Sequence, residues 1–96
     1  MASFQSSQGT ISEEMVTRVG TAAGHVARIQ QEYAMQAEAE PATEAREALA
    51  SRARAAAERA IDEQGITIQD YNTVLNAAEE NQELEQQLLA AAREVL

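Results

Sequence analysis

Met15, Val19, Ala22, Val26, Ile29 and Tyr33 follow one another at steps of four, three, four, three and four. Only a helix gathers such positions on one side, since a strand alternates its side chains between two faces. Ser12 fits the N-cap, with Thr10 and Glu13 forming a competing capping-box pattern. Glu13 and Glu14 then lie at the positive end of the helix dipole. Pro41 stops the pattern. A helix over 12–39 spans roughly 40 Å at 1.5 Å per residue.

The same helix has a second apolar flank, made of Val16, Gly20, Ala23, Gly24, Ala27 and Ala34. A glycine inside a helix costs about 1 kcal/mol relative to alanine. Two of them four residues apart point to a surface that packs very closely. Gly20, Gly24 and Ala27 are therefore the candidate close-packing face. Its expected occupant is a neighbouring helix of the same chain, and a homodimer contact is the second account. The second periodic segment, 43–64, offers a broad small-residue face at Leu49, Ala53, Ala56, Ala57, Ala60 and Ile61. It is expected to fold back on the Gly/Ala flank as a long antiparallel hairpin. Glu14/Arg18, Arg28/Glu32, Arg54/Glu58 and Arg59/Glu63 are spaced as helical ion pairs.

The stretch GITIQD, residues 65–70, joins a stop to a start. Gly65 suits the left-handed position after a helix end, and Thr67 caps the next helix with Asp70 three residues on. This corner leaves Ile66 and Ile68 available to the core. A third helix over 68–79 carries Ile68, Tyr71, Val74, Leu75 and Ala78 on one side. Asn81 caps a fourth helix over 82–95, whose stripe is Leu84, Leu88, Ala91, Ala92 and Val95. No Gly or Pro marks that junction, so one kinked helix through both segments stays open.

The fold expected is all-α: a small antiparallel helical bundle, with a long helix hairpin followed by two shorter C-terminal helices. Residues 11–96 form its single domain, after a flexible N-terminal tail at 1–10. Composition agrees. Apolar residues make up 45% of the chain, yet alanine supplies twenty-one of its ninety-six positions and aromatics only three. That suits close helix contact and not a β-sandwich, which wants branched and aromatic side chains.

Charge and chemistry narrow the function classes. Sixteen acids face seven bases, all arginine, for a net charge of −9. Such a chain repels nucleic acid and anionic lipid, whose binding needs a cationic surface. It has no cysteine and one histidine, His25, without the Glu-x-x-His partner of a di-metal bundle. No zinc set, serine elbow or phosphate loop can be assembled. No catalytic residue and no cofactor is expected. Carboxylates at Glu79, Glu80, Glu83 and Glu85 cluster at the last corner. They leave divalent-cation binding open beside a solvated acidic cap. No run is long and apolar enough for a transmembrane segment. Residues 1–10, MASFQSSQGT, show neither the basic start nor the apolar stretch of a secretory leader.

Three stretches carry a resemblance. TISEEM at 10–15, IDEQGITIQDYNTV at 61–74 and AAEENQELEQQL at 77–88 resemble segments of bacterial domain-of-unknown-function family 4168. Gly65, Tyr71 and Asn72 match its middle motif, while Gln82 stands where that family usually has proline. The resemblance implies a small exported helical domain, periplasmic or secreted, and it brings no activity. It implies structural roles at the corner for Gly65, Tyr71 and Asn72, with Asn72 bonding near the turn. Thr67 joins this corner set as the cap. The function expected is that of a noncatalytic module acting through contact with an unknown protein partner or by self-association. The alternative is a helical small-ligand or divalent-cation binding protein.

Overall fold

A computed structural model describes residues 11–96 of the chain, and the expected tail at 1–10 lies outside them. Four helices follow in order: α1 (Glu13–Glu38), α2 (Thr43–Glu63), α3 (Ile68–Glu79) and α4 (Gln82–Arg93). No strand occurs among the described residues. The helices pack on one another as an all-α bundle about 59 Å long and little more than 20 Å across.

The caps explain where the helices begin. The Ser12 hydroxyl accepts a hydrogen bond of 3.0 Å from the Met15 amide, so Ser12 opens α1. At the start of α3 the Asp70 amide donates to Thr67 Oγ1 at 2.9 Å, and the Thr67 amide donates to Asp70 Oδ2 at 3.1 Å. Aspartate thus closes a full capping box despite being one methylene shorter than glutamate. Asn81 Oδ1 accepts from the Leu84 amide at 3.1 Å. That cap separates α3 from α4 and rules out the kinked continuous helix. Gly65 adopts φ +76°, the left-handed geometry that a Cβ disfavours.

The main seam of α1 lies inward along its length. Val19 and Ala22 are fully buried, and Met15, Val26, Ile29 and Tyr33 are half-buried. Ile61 of α2, Ile66 of the corner, Val74 and Ala78 of α3, and Leu88 of α4 join Val16, Val19 and Ala22 in one core. This core occupies one end of the molecule. Between His25 and Arg59 no residue is buried. The far half of the α1–α2 hairpin is therefore a two-helix arm projecting from a four-helix end.

Two expectations fail at the level of packing. Ile68 was expected to face the core and is 46% exposed, because Ile66 alone folds inward at the corner. Of the four helical ion pairs, only Glu14–Arg18 closes among the described residues, at 2.6 Å. An exposed pair gains little Coulomb energy in water and must order two long side chains, so the others stay open.

Candidate contact groove

The glycine flank decides how the last helix sits. It was expected to receive α2, but α4 occupies it. A Cβ built on Gly20 would lie 2.6 Å from the Ala91 Cβ and 2.8 Å from the Leu88 carbonyl oxygen. One built on Gly24 would lie 2.6 Å from the Ala92 carbonyl oxygen and would press into a Val95 methyl. The two glycines let the α4 backbone rest directly on α1. The Ile61 side of α2 goes instead to the core shared with Val19 and Ala22, and the flank is left to α4. Ala27, placed on the same close-packing face by sequence, is exposed. It lies nearly one turn past Gly24, beyond the reach of the helix that covers the two glycines.

Arginines of α1 fix the ends of its neighbours. Arg18 Nη1 donates to the Gln64 carbonyl at 3.2 Å, at the C-terminal end of α2. Arg28 Nη1 donates to the Val95 carbonyl at 3.3 Å, just past α4. Each guanidinium meets carbonyls that have no partner inside their own helix, at the negative end of the dipole. Arg46 Nη2 donates to the Pro41 carbonyl in the α1–α2 turn at 3.4 Å.

Because α4 is held close to α1 and turned back at Asn81, a groove opens between α3 and α4. Its walls are Leu75 and Ala78 of α3, Leu88, Leu89 and Ala92 of α4, and Ala23 of α1. Ala78, Leu88 and Ala92 are buried and form its floor. Leu89 is 46% exposed on the lip, next to the buried Leu88. Glu79 and Glu85 complete the rim. The groove holds about 350 Å³ and is open along its length.

Leu89 escaped the sequence reading, which used Leu88 for the stripe and gave Leu89 no role. The available signal was the Leu88–Leu89 doublet, in which one helix face cannot take both. Leu75 was placed on the inner side of α3, and it is half-buried as a wall of the groove.

The other singled-out residues serve structure. Thr67 and Gly65 make the corner as described, with a Gly65 amide bond to the Asp62 carbonyl at 2.9 Å. Tyr71 packs against the core, and burial raises its phenol above the ordinary 10.0. Asn72 is exposed, and the side-chain bonds described at the corner are those of Thr67, Asp70 and Arg18 instead. His25 lines a cleft of about 290 Å³ between α1 and α2, with Arg28, Arg59, Glu32 and Glu63 around it. Glu79, Glu80, Glu83 and Glu85 are all exposed. Among the described residues no group of three or more His, Cys, Asp or Glu side chains is placed to hold a metal ion. No described helix is long and apolar enough to cross a membrane.

Comparison with curated proteins and with solved structures gave no match. Comparison with protein families matched residues 4–88 to one family, a span that covers the three corners and the Ser12, Thr67 and Asn81 caps described above. The chain belongs to the family described as Domain of unknown function (DUF4168).

Proposed function

We propose that this protein is a noncatalytic helical module of the bacterial cell envelope that acts by contact, with another protein or with a second copy of itself. The observation that carries this reading is the open groove of Leu75, Leu88 and Leu89, set on the four-helix end. A groove between helices with an exposed leucine on its lip is the shape that receives a partner's apolar side chains. The envelope location in this reading is supported by the family resemblance alone. The ligand-binding alternative has less support: the clefts on this chain are open surface depressions, whereas small-ligand sites enclose most of their ligand.

Crosslinking in intact cell envelopes, combined with sedimentation of the purified protein, tests the reading. A discrete crosslinked species or a concentration-dependent mass is expected. A chain that stays monomeric at high concentration and yields no crosslinked species contradicts it, most sharply if a small metabolite raises its thermal midpoint.

A further inference from the structure

The groove has a charge pattern that selects among partners, and the inference drawn from it rests on the contact reading above. Residues 68–96, which build both walls, carry six acids and one base. The C-terminal end of α3 concentrates this charge. Arginines donate to carbonyls at the end of α2, just past α4 and in the α1–α2 turn, through Arg18, Arg28 and Arg46. At the end of α3 no arginine plays this part among the described hydrogen bonds, and the last turn has no basic residue. It carries Glu79 instead, and its C-cap is Glu80. Two carboxylates at the negative end of a helix dipole repel it, and Glu79 stands on the groove rim. The rim adds Glu85 on the opposite wall. An apolar trough is thereby set inside a field that only a cationic partner relieves.

We propose that the α3–α4 groove binds a basic amphipathic helix of another protein, with apolar residues seated against Leu75, Leu88 and Leu89 and Lys or Arg side chains meeting Glu79 and Glu85. The apolar stripe of the partner supplies contact area, and its flanking cations set orientation and exclude acidic helices. A second copy of this chain is a poorer fit. Its most arginine-rich helix, α2, shows only alanines among the apolar residues of its exposed face, which offers little to fill a leucine-walled trough.

The probe is a labelled synthetic helix of about five turns, with leucines on one face and lysines beside them, alongside a twin carrying glutamate in place of lysine. Fluorescence anisotropy should give a dissociation constant of roughly 10–100 μM for the cationic helix and no binding of the acidic twin. Affinity should fall several-fold between about 0.02 and 0.3 M salt. Leu89→Gln should weaken binding about tenfold. Glu79→Gln with Glu85→Gln should weaken it roughly three- to tenfold. Glu44→Gln with Glu47→Gln, on the distant arm, should leave it unchanged. All these side chains are exposed, and circular dichroism verifies that each variant is folded.

Absence of binding to the cationic helix up to millimolar concentration overturns the proposal. So does an equal loss from the arm variants, which marks nonspecific charge attraction, or a dimer in sedimentation that Leu89→Gln dissolves, which makes the occupant a second copy. A partner crosslinked in the envelope through the arm would likewise overturn the groove assignment while leaving the contact function standing.

Discussion

Helix α1 passes through two different environments. From Val16 to Gly24 it is surrounded, with buried residues on both its main seam and its glycine flank. From Ala27 onward nothing on the same helix is buried, and past the Arg28 bond to the Val95 carbonyl it runs out along α2. The stripe itself does not change: Ile29 and Tyr33 continue the spacing of Val19, Ala22 and Val26. What changes is the second flank. Gly20 and Gly24 admit a backbone, whereas Ala27 and Ala34 are left open to solvent. Glycine in a helix interior weakens that helix locally, so the bundled end gives up propensity in return for contact with α4. The arm keeps its propensity and gains no third neighbour.

The comparison breaks most visibly if the flank is filled. Gly20→Ala with Gly24→Ala should destabilise the fold by about 2–5 kcal/mol, because the atoms in the way include main-chain carbonyl oxygens that move only with the whole helix. The gain of about 1 kcal/mol in helix propensity per site is included in that figure. Ala27→Leu and Ala34→Leu, larger changes on the same flank of the arm, should stay within about 0.5 kcal/mol. Urea unfolding of the glycine double variant and of the two alanine variants measures both halves of the prediction.

Core substitutions sharpen the same contrast. Val19→Ala at the fully buried seam should cost about 2 kcal/mol, while Leu49→Ala on the arm should cost about 1 kcal/mol, since Leu49 is only half-buried. Equal losses would mean that the arm is packed as firmly as the bundle. Thr67→Ala removes one side of the capping box and should cost about 1 kcal/mol by thermal or urea unfolding.

The smallest effect is alkaline. Burial holds the Tyr71 phenol above its ordinary 10.0, so the folded chain keeps this proton more tightly than the unfolded chain. The stabilisation is complete below pH 10 and is lost as pH rises through the folded value. Unfolding free energies taken from about pH 9 to pH 11 should fall more steeply for the native chain than for Tyr71→Phe. Parallel curves would place Tyr71 in solvent.

Much of the fold was legible because it is written locally. Ser12, Thr67 and Asn81 name the starts of α1, α3 and α4, and Gly65 names the end of α2, each through a group bonding within a few residues. Tertiary choices were harder to read. The glycine pair announces that something comes close to α1, yet α2 and α4 both offer small residues, and only the shared core decides between them. Ala27 could not be separated from Gly24 by spacing, because its exposure depends on where a different helix stops. The groove was invisible for the same reason. Leu75 and Leu89 belong to different helices, and their meeting is set by the Asn81 break and the depth at which α4 lies.

Native-state hydrogen exchange, read amide by amide, tests most directly whether stability is concentrated where α4 rests on the glycines. Amides of α1 from Val19 to Gly24, and those of α4 around Leu88, should exchange only with global unfolding. Amides from Tyr33 to Gln36 and from Leu49 to Ala53 should open at least about tenfold more readily, by local fraying of the arm. Uniform protection from one end of α1 to the other, or early exchange at Gly20 and Gly24, would contradict the account.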